Sequence, residues 1–295
     1  MMCCAACGIA EVDDVKLKDC SACKLVRYCG VKCQKDHRPH HKKECKMRAA
    51  ELRDELLFKQ PVSTHLGDCP ICCLPLPLDP TKSILMACCC KLICDGCDFA
   101  NQMREINESL PHKCPFCRHP VPNSEEEFKR NLMERVEAND PFALHQMGLY
   151  RNQERDYENA FPYFTKATGM GDIQSHYDLS CLYREGLGVK KDKEKELHHL
   201  EEAVIGGHPY ARHNLGCVEL TNCRTDRAIK HWIIAANLGY ENSLVPLTNA
   251  YRKGLVSKKD LAAALRAHQA AVNATKSPKR DEAAADRHAK AARQN

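Results

Sequence analysis

From residue 141 onward the apolar positions return in phase. Ala-Leu-His-Gln-Met-Gly runs to Gly148, Tyr-Asp-Leu-Ser to Ser180, Arg-His-Asn-Leu-Gly to Gly216 and Leu-Val-Pro-Leu-Thr to Thr248, at steps of 32, 36 and 32 residues. A second run follows each, in which Phe164, Leu200 and Trp232 are equivalent, as are Ala167, Ala203 and Ala235, with Gly171, Gly207 and Gly239 closing the unit. A bulky, a small and a turn position recurring together at this period predict paired helices. Stacked, they bury one another's faces as an all-α solenoid over residues 141–272. Pro162 is expected to interrupt the second helix of the first unit, and the fourth unit retains only Gly254 of its glycines.

The same reading places three more helices. Residues 45–58 carry an approximate apolar stripe of Met47, Ala50, Leu52, Leu56 and Leu57, broken by Pro61. Residues 46–68 therefore read as a helix followed by a linker. Ser124-Glu-Glu-Glu127 supplies a capping box for a connecting helix over 124–139, with Phe128, Leu132, Met133 and Val136 on its apolar face. Asp260 to Val272 is an alanine-rich helix. Residues 276–295 hold almost no large apolar side chain and read as a mobile basic tail or a solvated helix.

Cysteine changes the picture for the first 118 residues. Eighteen of 21 cysteines lie in residues 1–117. Two arrays of Cys-x-x-Cys pairs stand there, one from Cys4 to Cys45 and one from Cys69 to Arg118, at the spacing structural zinc uses. The first holds Cys4 and Cys7, Cys20 and Cys23, Cys29 and Cys33, and His41 and Cys45; the last two are helical neighbours. The second holds Cys69 and Cys72, the run Cys88, Cys89 and Cys90, Cys94 and Cys97, and Cys114 and Cys117. A disulfide scaffold is the competing account, but the start has no basic region followed by an apolar run, and no stretch approaches the roughly 18 apolar residues of a membrane span. Thiolates that stay reduced point to the cytoplasm or nucleus. Four structural zinc ions are expected, each filled by protein atoms, so no open coordination position remains for chemistry. Cys3 and the back-half Cys181, Cys217 and Cys223 lack ligand spacing, as do the many histidines there.

The first array resembles a MYND finger over residues 4–45, with Tyr28 before Cys29 and Gln34 after Cys33. That resemblance implies one ion on Cys4, Cys7, Cys29 and Cys33 and another on Cys20, Cys23, His41 and Cys45. His37 stands where many such fingers carry a tryptophan. The second array, over residues 69–118, resembles a RING finger, whose first and third pairs share one ion and whose second and fourth share the other in a cross-brace. It departs from the pattern at Lys91, which occupies the usual histidine slot and has no lone pair to donate. Cys88 with Cys89 is the favoured middle pair; Cys90 and His112 are the alternatives. The repeats resemble the Sel-like branch of the tetratricopeptide superfamily, most plainly in Tyr-Arg-Glu-Gly-Leu-Gly-Val at 183–189.

The RING resemblance implies a ubiquitin ligase, in which Ile71 and Pro115 contact a ubiquitin-conjugating enzyme and Arg118 locks the ubiquitin thioester. The alternative is a scaffold that binds proteins without transferring anything. No catalytic residue is assigned, and no phosphate loop, serine elbow or paired-carboxylate signature points to a small-molecule substrate. MYND fingers also occur in lysine methyltransferases, but this chain carries no cofactor motif of that enzyme. Net charge is +5, with about +4 in residues 1–60, −4 in 61–257 and +5 in 258–295. Without interleaved aromatics or a groove-reading helix, mild surpluses at both ends do not make a nucleic-acid site.

Overall fold

The computed structural model describes residues 2–12 and 14–294, which divide between Lys59 and Gln60 into two compact units. In the first, the short strands β1 (Lys18–Asp19) and β2 (Arg27–Tyr28) pair antiparallel and lead into α1 (Val31–Leu57). Its core is Cys4, Leu17, Cys20, Cys23 and Tyr28. Sulfur stands where a larger domain would place leucine. The helix begins at Val31, well before the residue 45 that the apolar stripe suggests, and runs through Pro39. Cys33, His41 and Cys45 all lie on it, so candidate ligands rather than apolar periodicity define its first half. Within the stripe, Met47, Ala50 and Leu56 are exposed while Leu57 is buried.

The second unit opens with an antiparallel hairpin, β3 (Ser83–Met86) and β4 (Lys91–Cys94), in which Ser83 faces Cys94 and Ile84 faces Ile93. Then comes α2 (Asp95–Asn107). Cys69, Leu76, Met86, Ile93, Cys94 and Cys114 form the centre of this module. In α3 (Glu125–Glu137) the Ser124 hydroxyl accepts from the Glu127 amide at 3.1 Å, while the Glu127 carboxylate accepts from the Asn123 amide at 3.0 Å. Its Leu132 and Val136 pack with Ala143, Leu144, Met147 and Ala167 on one side and Cys90 on the other. The connecting helix thereby joins the zinc module to the first helical pair.

Four pairs follow: α4 (Pro141–Gln153) with α5 (Tyr157–Thr168), α6 (Ile173–Glu185) with α7 (Lys193–Ile205), α8 (Pro209–Thr221) with α9 (Thr225–Asn237), and α10 (Leu244–Arg252) with α11 (Lys258–Ala274). The repeat grammar has a steric basis. Gly148 and Gly216 give the bulky partner room: a Cβ on Gly148 would meet the Phe164 ring at 2.5 Å, and one on Gly216 would meet the Trp232 indole nitrogen at 2.6 Å. Gly171, Gly207 and Gly239 turn the chain at φ of 88°, 82° and 89°, where a side chain is strained. Pro162 does not interrupt α5; buried Ala160, Phe164 and Ala167 hold the helix together despite the missing amide.

Two segments are more tightly held than their composition suggests. Linker residues 60–68 lie along the helical pairs: the His65 amide donates to Gly207 O at 3.2 Å, the His65 ring stacks on His208 at 4.1 Å, and Asn237 donates to the Gln60 side chain at 3.0 Å. Residues 278–294, expected as a mobile tail or solvated helix, form α12 (Pro278–Gln294), which packs on α2. Its Arg280 is 5% exposed and its Ala283 3%. Small alanines such as Ala283 permit that close approach without large apolar side chains. No helix among the described residues is long and apolar enough to cross a membrane.

Candidate metal centres

Four groups of ligand atoms assemble, each with all its atoms within 4.8 Å of one another. They are Cys4, Cys7, Cys29 and Cys33; Cys20, Cys23, His41 and Cys45; Cys69, Cys72, Cys94 and Cys97; and Cys88, Cys89, Cys114 and Cys117. In both modules the first pair joins the third and the second joins the fourth, so the chain crosses itself. Two segments contribute to each group; in the second they are a tight loop with Cys20 and Cys23 and the interior of α1 with His41 and Cys45.

The donor geometry fits zinc. A tetrahedral ion with Zn–S near 2.3 Å sets its sulfurs about 3.8 Å apart. Sulfur separations are 3.6 Å for Cys7–Cys29, 3.5 Å for Cys29–Cys33, 3.8 Å for Cys20–Cys45, 3.7 Å for Cys72–Cys94, 3.4 Å for Cys88–Cys117 and 3.9 Å for Cys89–Cys114. Disulfides need about 2 Å, and every cysteine is free. His41 brings Nε2 to 3.1 Å from the Cys23 sulfur.

A backbone signature accompanies the sulfurs. The residue after each of four Cys-x-x-Cys pairs is left-handed: Gly8 (φ 75°), Lys24 (57°), Cys73 (55°) and Arg118 (64°). Each donates its amide to the carbonyl of the first cysteine, at 2.9, 3.0, 2.9 and 2.9 Å respectively. Only one is glycine, and the other three bear roughly 1–2 kcal/mol of strain. Such a turn aims both sulfurs, and the amides within it, at one point. Burial works against a thiolate at Cys4 and Cys20, but amides of Cys29, Cys7 and Ala6 in one case, and of Cys23 and Ala22 in the other, outweigh it and hold both thiols near 6. The Cys94 thiol donating to Cys69, opposed by burial and helped by the Cys94, Cys72 and Ile71 amides, holds Cys69 at about 4. Other thiols move oppositely: in the group of Cys4, Cys33 is pushed up to about 12, chiefly by the hydrogen bond with Cys29. Crowded sulfurs cannot all lose their protons together, and a divalent cation would supply the positive charge that lets them do so.

At the fourth group the candidate residues take different places. Cys90 turns away into the core beside Leu132 and Val136, its sulfur 3.8 Å from Ala87 O. His112 gives its ring nitrogen to Glu105 at 2.7 Å. Lys91 places its ammonium over the Phe116 ring, 5.9 Å from the centroid. Adjacent Cys88 and Cys89 are the thiols that face Cys114 and Cys117. Among the described residues, Cys3, Cys73, Cys181, Cys217 and Cys223 belong to no group. Ile71 is 40% exposed between Cys69 and Cys72, Arg118 is exposed and Pro115 half-buried. Sequence reading had no signal for Arg280, whose guanidinium reaches the Cys72 sulfur from 208 positions away.

Residues 4–45 match the MYND finger family. Over 51 residues the chain is 39% identical to "SET domain and MYND-type zinc finger protein 6" of Schizosaccharomyces pombe, a match spanning 17% of this chain and 11% of that protein. Among solved structures, the chain is similar to a Sel1 repeat protein from Oxalobacter formigenes, at 21% identity over 60% of this chain and 73% of that one, with a TM-score of 0.45. It is also similar to c5321, a protective antigen of uropathogenic Escherichia coli displaying an SLR fold, at 21% identity over 56% and 36% of the two chains, TM-score 0.40.

Proposed function

We propose that this chain is a zinc-scaffolded protein-interaction protein of the cytoplasm or nucleus, whose module at residues 69–118 works as a RING-type ubiquitin ligase. The observation that carries the reading is the fixed presentation of three side chains. Ile71 lies between two candidate ligands, with its backbone set by the loop and its side chain 40% exposed. Pro115 follows Cys114, and Arg118 sits at the left-handed end of the same loop, exposed. These positions suit contact with a ubiquitin-conjugating enzyme, and the forked guanidinium suits a thioester that must be held between two proteins.

Substrate recruitment falls to the helical pairs and the MYND finger. The first helices of three pairs, α4, α6 and α8, share a cleft of 730 Å³ with residues of the linker and of the zinc module between 65 and 92; Phe142, Tyr177, Tyr210, Pro77 and Pro141 line it. Its mixture of aromatic, proline and histidine surface suits an extended protein segment. No small-molecule substrate or nucleic acid is invoked.

A specific observation favours the alternative, a non-catalytic scaffold or adaptor: the fourth group uses adjacent cysteines, and Lys91 takes the histidine slot. One assay separates the two. Full-length protein is incubated with a panel of ubiquitin-charged conjugating enzymes, alongside Ile71→Ala and Arg118→Ala. Ile71→Ala removes several methylene-sized groups at about 0.8 kcal/mol each, weakening a shallow contact tenfold or more, while Arg118→Ala still binds the conjugating enzyme but discharges it slowly. Absence of discharge by the wild type, or both variants discharging at its rate, leaves the scaffold reading.

A further inference from the structure

Arg280 is a buried cation whose surroundings are almost wholly the first loop of the second zinc module. One guanidinium nitrogen donates to Pro75 O at 2.7 Å and, within its own segment, to Thr275 O at 2.7 Å. The other donates to Leu74 O at 3.3 Å and to the Cys72 sulfur at 3.4 Å. Burying a guanidinium is costly unless negative charge and acceptors meet it. The acceptors that meet it are the Leu74 and Pro75 carbonyls and the Cys72 sulfur, an atom of the candidate ligand group Cys69, Cys72, Cys94 and Cys97.

The rest of α12 is built to keep that guanidinium in place. Gly96, on the first turn of α2, lies so close that a Cβ there would come within 2.7 Å of the Arg280 amide nitrogen. Arg287, two turns further along, pairs with Asp95, which is 5% exposed and follows Cys94 directly. Helix α12 thus touches both ends of one ligand group, the loop bearing Cys72 and the helix start bearing Cys94.

We propose that Arg280 is a positioning residue for the group Cys69, Cys72, Cys94 and Cys97, so that α12 sets how tightly this one site keeps its metal. The proposal rests on the zinc reading above. Four thiolates around a divalent ion carry two net negative charges. A guanidinium donating to one of the sulfurs neutralises part of that charge, and its bonds to the Leu74 and Pro75 carbonyls fix the loop in the conformation that aims Cys72. Partners of this kind alter metal affinity by about 10–100-fold when removed.

The test uses the full chain loaded with zinc. Metal content is measured first, and alkylation protection identifies which cysteines are covered; a wild type whose Cys69, Cys72, Cys94 and Cys97 are unprotected removes the premise and the proposal together. Zinc transfer to a colorimetric chelator is then followed for wild type, Arg280→Met and Arg280→Lys, with alkylation mapped by mass spectrometry during release. The expected result is that Arg280→Met loses one ion of four about 10–100-fold more readily, with those four cysteines labelled early and the other three groups unchanged. Arg280→Lys, which keeps the charge but cannot span the acceptors, falls between. In protein loaded with cadmium-113, one of four resonances shifts in Arg280→Met. Release curves and resonances like the wild type's overturn the proposal. So does equal acceleration at all four sites, which makes α12 a general stabiliser. If Arg280→Met does not fold, Arg280→Lys decides by the same readouts.

Discussion

Replacing Gly216 with alanine sets two physical effects against each other, and the structure says which is larger. In an isolated helix the change is favourable by about 1 kcal/mol, because glycine is the poorer helix former. Here the added methyl would stand 2.6 Å from the indole nitrogen of Trp232 and 2.8 Å from the adjoining ring carbon. Trp232 is 4% exposed and packed among Ala228, Ile229, Ala236 and Leu247, so the ring has no free direction in which to retreat. Retreat also stretches the bond from its indole N–H to His213 O, now 3.3 Å. Overpacking of this kind costs about 1–3 kcal/mol. A rigid ring places the cost in the upper half of that range, so the net loss is on the order of 1–2 kcal/mol after the propensity gain. In a domain this size that lowers Tm by roughly 2–8 °C. The chain has a single tryptophan, so its emission reports the same contact whose cost is being measured. Urea titrations followed by far-UV circular dichroism and by tryptophan emission should show a lower midpoint and a shifted native spectrum. Gly148→Ala, which meets Phe164 at 2.5 Å, should lose a similar amount with an unshifted spectrum. A Gly216→Ala variant more stable than wild type by about 1 kcal/mol, with unchanged emission, would mean propensity alone operates and the α8–α9 contact is not as close as described.

Metal analysis of protein purified without chelator should give four zinc ions per chain, one for each group of four ligands; two would mean that one module holds none. Cys73→Gly relieves a left-handed residue outside the ligand groups, at φ 55°, and should raise stability by about 1 kcal/mol with zinc content unchanged; a lower denaturation midpoint would refute strain at that position. Burial, partly offset by the Gln174 hydrogen bond, lowers His65 from 6.5 to about 4, so the unfolded chain binds the extra proton between those values. Stability is then fully present above pH 6.5 and falls as pH drops towards 4, by up to about 3 kcal/mol. His65→Gln should flatten that dependence, and an unchanged slope would show that other groups set it.

The helical pairs were legible because bulky, small and turn positions recur at fixed intervals, and those positions are the ones the packing uses, Gly148 against Phe164 and Gly216 against Trp232. The ligand groups were legible because thiol spacing carries the chemistry directly. What escaped were features outside either code. Helix α1 starts at Val31 because its first half holds Cys33, His41 and Cys45 and needs no apolar stripe. Cys90 and His112 resembled ligands until an apolar pocket and Glu105 were seen to receive them. Helix α12 docks through alanines, arginines and a facing glycine, a combination that looks like a solvated tail until its partner surface is known.

The hydrogen bond between Arg280 and Cys72 joins residues 208 positions apart, which has a consequence for the order of events during synthesis. Ribosomes add about 5–20 residues each second, so the loop bearing Cys72 emerges roughly 10–40 s before the arginine that completes its surroundings. During that interval the nascent module holds its sulfurs without their cation. A polypeptide broken off anywhere before residue 280 would remain in that condition permanently, shedding metal from one module and exposing four thiols.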